Sequence, residues 1–138
     1  MMYQSRHTLR LPKSRMIVTP DELVRYRTEL AENPGALAAL TMLEDCEGDL
    51  EDAAIALALR EGQEPDQSEG WLDGFAKRWR VYVCQSGVRS HLETGAIALG
   101  IQLLAAEMVL PVDLATLVAI YVQKTGVDTF CKPLEERL

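Results

Sequence analysis

Glu107 is the residue whose surroundings most suggest chemistry. It follows Leu103–Leu104–Ala105–Ala106 and precedes Met108–Val109–Leu110. Burial there would raise its carboxyl pKa, which is how a carboxylic acid comes to act as a general acid near neutral pH. An enzyme reading joins Glu107 to His91, at the start of the same predicted helix, in a pocket between helices. The preferred reading puts Glu107 on the wet strip of its helix, as Gln102 and Gln123 are. Cys84, His91 and Glu93 lack the close-pair spacing of a zinc site. The run Asp45–Cys46–Glu47–Gly48–Asp49–Leu50–Glu51 alternates oxygens as calcium loops do. An EF-hand begun at Asp45, however, needs Gly and Glu where Leu50 and Ala56 stand. The sequence holds no glycine-rich phosphate cradle and no nucleophile elbow. The expectation is a chain with no cofactor, no metal and no catalytic site, Glu107 and His91 being the groups an enzyme would use.

A second cluster suggests binding. Trp71, Phe75, Lys77, Arg78, Trp79, Arg80 and Tyr82 combine rigid apolar area with positive charge. Tryptophan, tyrosine and arginine are frequent anchors of protein interfaces, and they also stack on bases and hold phosphates. Lys77, Arg78, Trp79, Arg80 and Tyr82 are assigned as the interaction residues. A competing reading has Trp71, Phe75 and Trp79, four residues apart, simply packing inward.

Charge supports an uneven surface. The chain has 138 residues, 14 Lys plus Arg and 21 Asp plus Glu, for a net charge of -7. Residues 1–18 carry Arg6, Arg10, Lys13 and Arg15 and no acid. Residues 44–73 carry eleven acids and one base, Arg60. Nucleic acid is therefore an unfavoured partner, its alternative reading using the 6–15 arm with the 77–89 patch. An acidic protein segment is the favoured partner, and homo-oligomers are a further possibility.

The length and the 48% apolar content suit one domain, 19–138, behind a basic arm, 1–18. Cys46, Cys84 and Cys131 are odd in number, widely spaced and without a Cys-x-x-Cys pair. That predicts no disulfide framework and a reducing, cytoplasmic location. The basic N-terminus has no apolar signal core, since Pro12, Lys13 and Arg15 interrupt it. The apolar stretch 95–122 contains Gln102, Glu107, Asp113 and Thr116, which leaves it short of the roughly 20 apolar residues a membrane span needs. Two packed helices, and no membrane partner, are predicted from it.

The elements that must position these residues read as helices. Thr19–Pro20–Asp21–Glu22 is a capping box with proline at the first helical position. Asn33–Pro34 repeats the device. Asp49 caps a third helix whose inner face is Leu50, Ala53, Ala54 and Leu57, stopped by Gly62. Ser68 is the expected cap of a helix carrying Trp71, Leu72 and Phe75. Gln85–Ser86–Gly87 reads as a turn, and Ser90 as the cap of a long helix over 90–109. Pro111 or Asp113 begins the next, which Gly126 ends; a last short turn precedes Pro133. The segment 48–57 resembles the last helix of ubiquitin-associated-type domains and the first helix of Fis-type helix-turn-helix domains. Thr41–Met42–Leu43–Glu44 departs from the loop of the first, and the acidic 62–73 from the basic recognition helix of the second, so no family is assigned.

The sequence thus predicts an all-α bundle of six or seven short to medium helices. Its centre is an apolar antiparallel hairpin, and its N-terminus an extended basic arm. The expected function is non-catalytic: protein–protein interaction or assembly through the basic aromatic face.

Overall fold

The computed structural model of the chain describes residues 16–60, 62 and 70–135. The basic residues of the arm and Ser68 lie outside the described residues. Those described form nine helices: α1 (Pro20–Glu29), α2 (Pro34–Asp45), α3 (Leu50–Arg60), α4 (Trp71–Arg78), α5 (Arg80–Val83), α6 (Ser86–Glu93), α7 (Ile97–Met108), α8 (Val112–Thr125) and α9 (Val127–Glu135). The bundle is all-α as predicted, but finer-grained.

The starts of α1, α2 and α3 follow the predicted chemistry. Thr19 Oγ1 accepts the Glu22 N–H at 3.2 Å while Glu22 accepts the Thr19 N–H at 2.9 Å. Asn33 accepts the Ala36 N–H at 3.0 Å, and Asp49 the Asp52 N–H at 3.1 Å. Each bond satisfies one of the donors that a helix start leaves without an intrahelical partner.

The extra helices come from breaks inside predicted ones. Segment 90–109 is not one helix. Gly95, at φ +87°, lets the Ala96 N–H reach back to the His91 carbonyl at 2.8 Å, a Schellman closure that ends α6. The start of α6 is also corrected, to Ser86 rather than Ser90. Pro133 lies inside α9 rather than beyond it. Its missing N–H costs only a bond to the carbonyl of exposed Thr129, which water can serve.

The predicted antiparallel hairpin is also corrected. Helices α7 and α8 meet at 120° across Val109–Leu110–Pro111, a corner rather than a reversal. The antiparallel pair is α6 with α7. A Cβ at Gly100 would stand 2.8 Å from Leu92 Cδ2, so the missing side chain permits that approach. The centre is α8 alone: 113–120 are all buried, and it packs against α2, α3, α4, α6, α7 and α9. A helix apolar on nearly every side needs such a sheath. Helix α7 keeps one wet side, with Leu99 50% and Leu103 40% exposed. No single helix among the described residues is long and apolar enough to cross a membrane.

Two ties close the molecule. Residues 16–18 hook onto the α2–α3 turn, where the Val18 N–H donates to the Gly48 carbonyl at 2.8 Å and the Leu50 N–H to that of Met16 at 3.1 Å. The second tie overturns the expectation of no disulfide: Cys84, after α5, is bonded to Cys131 in α9. Spacing along the chain concealed the pair, because α9 folds back against α5 from 47 residues away. Closing that loop restricts the unfolded chain and stabilises the fold by about 4 kcal/mol. The pairing removes the cysteine argument on which the cytoplasmic expectation rested.

Gly48 is irreplaceable on two counts. Its φ is +84°, and a Cβ there would stand 2.3 Å from the Val18 carbonyl oxygen. Gly48→Ala is expected to cost about 2–4 kcal/mol, combining left-handed strain with loss of the hook's hydrogen bonds. The urea-unfolding midpoint reads it, and an unchanged midpoint would refute the tight approach.

Candidate functional site

The residues expected to interact stand on α4, on α5 and at Trp79 between them, and α3 fixes where α4 begins. Gly70 has no side chain to cap α4. Glu51, from α3, does so instead, accepting the N–H groups of Leu72 at 2.8 Å and Asp73 at 3.3 Å. Burial pushes the Glu51 carboxyl above its usual range, and the two backbone bonds offset only part of that shift. Downstream, Leu72, Phe75 and Ala76 face the core, leaving Lys77 and Arg78 outside. At Trp79 the chain bends out of α4 and into the single turn of α5.

That bend turns the two arginines onto aromatic faces. The Arg78 guanidinium lies 5.3 Å from the Phe75 ring centroid, and that of Arg80 lies 4.9 Å from Phe130 of α9. Neither is ion-paired with a carboxylate among the described residues, and the buried Arg80 Nε has no hydrogen-bond partner there. Lys77 is paired with Asp73 at 2.9 Å. Lys77, Arg78, Arg80 and Val81 form one wall of a recess of about 140 Å³, and Pro133 and Leu134 of α9 form the other. Val81 is 56% exposed. Trp79 and Tyr82 are half-buried against the core, their rings 5.4 Å apart. The Trp71 ring stacks on Phe75 at 5.0 Å.

Sequence reasoning missed Phe130, Pro133 and Leu134. No local pattern could have found them, because only the return of α9 brings them to Arg80. It also grouped Arg89 with the basic patch, which the structure corrects. Arg89 is engaged by Glu93 at 3.1 Å, Asp128 at 2.9 Å and Glu135 at 2.6 Å. The hydrogen bonds it donates to Glu135, Asp128 and Glu93 hold its pKa above the usual arginine value, and Arg89 in turn lowers that of Asp128.

A wider, open cleft of about 800 Å³ lies between α1, α6, α8 and α9, lined by Glu22, Arg25, Tyr26, Gln123 and Lys124 among others. Its polar groups are largely mutually engaged. Lys124 Nζ bonds both Glu22 oxygens at 2.9 and 3.0 Å. The Tyr26 hydroxyl donates to Gln123 at 3.1 Å, and Gln123 donates to the Leu92 carbonyl at 3.0 Å. Arg25, 5.0 Å over the Tyr26 ring, is the cleft's one guanidinium without a carboxylate partner among the described residues, whereas the small recess offers two.

Glu107 is exposed near the end of α7, and His91 is half-buried in α6. Gly100 lies level with Leu92 and His91, while Gly87 lies level with Leu103. Glu107 is seven residues beyond Gly100, about 10 Å along the helix. Neither residue lines the recess or the wider cleft. Cys84 is in a disulfide, and among the described residues no three His, Cys, Asp or Glu side chains are grouped to hold a metal ion. No protein-family model, curated protein or solved structure matches the chain.

The Glu22–Lys124 pair makes a testable contribution to stability. Burial raises the Glu22 carboxyl pKa, but the Thr19 N–H and the Lys124 ammonium outweigh it and hold the group below its ordinary value. The folded state therefore binds the proton less readily than the unfolded chain. This contribution is full above about pH 4.5 and is lost as pH falls through the lowered value. Glu22→Gln is expected to cost about 1 kcal/mol at neutral pH and to flatten the acid side of the stability curve. Urea titrations across the acid range measure both, and a parallel offset at every pH would contradict the assignment.

Proposed function

We propose that the chain is a non-catalytic docking domain whose recess between α4–α5 and α9 captures an acidic segment of another protein. The observation that carries this reading is the pair Arg78 and Arg80. In a chain with seven more acids than bases, these two guanidinium groups are held beside a recess with no carboxylate neutralising them among the described residues. Stacking on Phe75 and Phe130 narrows their rotamers before a partner arrives, so less freedom is lost on binding. A carboxylate at the recess is a charge-assisted acceptor for the two guanidinium groups that line it. Val81, Pro133 and Leu134 supply apolar area for a neighbouring side chain. The acidic remainder of the surface repels wrong orientations of an acidic partner and helps to fix its register.

The test uses a short fluorescent peptide alternating Glu with Leu, with Gln–Leu and Lys–Leu peptides of equal length as controls. The Glu–Leu peptide is expected to bind and to weaken as salt rises. The double variant Arg78→Glu, Arg80→Glu should weaken it at least tenfold, about 1.4 kcal/mol, with the helical circular dichroism unchanged. Equal binding of all three peptides, or an unaffected variant, would reject the face. Single-stranded oligonucleotide in the same assay tests the nucleic-acid alternative.

A further inference from the structure

We propose that the Cys84–Cys131 disulfide switches the docking recess, which holds an acidic segment while the two sulfurs are bonded and lets it go when a dithiol reduces them. This rests on the docking function proposed above and adds its regulation.

The recess has two walls from distant parts of the chain. Lys77, Arg78, Arg80 and Val81 come from α4 and α5, and Pro133 and Leu134 come from α9. The disulfide lies at the seam. Cys84 closes α5, its N–H donating to the Arg80 carbonyl at 2.9 Å. Cys131 directly follows Phe130, on which the Arg80 guanidinium stacks, and precedes Pro133 by two residues. The Cα atoms of the two cysteines are 5.8 Å apart, an ordinary reach for the bond.

Apart from the disulfide and the stacking of Arg80 on Phe130, the ties of α9 run to other helices. Arg89 joins it to α6 through Asp128 and Glu135, and Phe130 meets Tyr121 of α8 edge-on at 6.4 Å. Helix α9 therefore stays seated without the disulfide. Helix α5 has less to hold it: it is four residues long, and Val83 is its one buried residue. An element with so little buried surface is among the first to open locally. Once the bond is cut, α5 is free to shift from α9 and carries Arg80 away from Phe130. The central helix α8 and its packing against α2, α3 and α7 do not cross the bond.

The chemistry is two-electron thiol–disulfide exchange. Cys84 is half-buried and Cys131 buried, so a thiolate of the dithiol attacks at Cys84, breaking the Cys84–Cys131 bond and releasing Cys131 as a thiolate that takes up a proton. The reductant's second thiol then attacks its own sulfur in the mixed disulfide. Cys84 leaves as a thiol, and the reductant leaves as a cyclic disulfide. Two electrons and two protons pass to the chain, and a small disulfide oxidant reverses the step. The third cysteine stays out of the exchange. Burial, with Asp52, Asp49 and Asp45 nearby, raises the pKa of the Cys46 thiol and keeps it protonated, and the thiolate is the reactive form.

The experiment titrates the Glu–Leu peptide into the full chain carrying Cys46→Ser, oxidised, then reduced with dithiothreitol, then reoxidised with oxidised glutathione. Free thiols are counted by alkylation and mass spectrometry at each stage. Binding is expected to weaken about tenfold on reduction and to return on reoxidation, with the helical signal retained throughout. The variant Cys84→Ser, Cys131→Ser should bind like the reduced chain and ignore dithiothreitol. Equal binding in both redox states overturns the switch and leaves the docking face standing. No binding in either state overturns the docking face and the switch with it. Loss of the helical signal on reduction also overturns the switch, because the whole fold rather than the recess would then carry the response.

Discussion

The structure depends on the burial of α8. Its apolar residues leave almost no side that tolerates water, so the other helices must surround it. Helices α2, α3, α4, α6, α7 and α9 do so, each giving up one face and keeping another wet. The segmentation follows from that requirement. A sheath around one rod is made more easily from short helices with sharp breaks than from a few long ones. The breaks at Trp79, Gly95 and Val109–Leu110–Pro111 turn the chain each time it would otherwise run past the core.

The recess is a consequence of that wrapping. Helix α4 is placed by a cap borrowed from α3, through Glu51. Helix α9 is brought back against α5 after the chain has passed through α8. Where the two meet, the rings of Phe75 and Phe130 lie beneath arginines that have no carboxylate partner among the described residues. The contrast with Arg89 is instructive. Arg89 is the same residue type on a neighbouring helix, but it is saturated by three carboxylates and serves as a structural tie. Sequence proximity had put Arg78, Arg80 and Arg89 in one basic patch; their partners divide them into two roles.

Local signals were legible where they act over a few residues. The caps at Thr19, Asn33 and Asp49 and the inward face of α3 follow from side-chain chemistry within one helical turn. The strongest misreadings involved contacts that the chain order hides. Gly95 lies inside the helix predicted over 90–109, yet its positive φ makes it a stop. A cap of α4 comes from Glu51, 21 residues before Leu72. Glu107, by contrast, sits on the exposed side of α7, as its preferred reading on the wet strip had it.

The sequence by itself determined that the chain is helical, acidic and built around a strongly apolar 95–122 region, because composition, caps and periodicity are properties of short windows. Tertiary structure decided that α8 rather than a hairpin is the centre, that Cys84 finds Cys131, and that Arg80 meets Phe130 beside Pro133 and Leu134. These are pairings between residues tens of positions apart. Their partners are chosen by which surfaces remain to be buried once the core has closed, and no local window of the sequence carries that information.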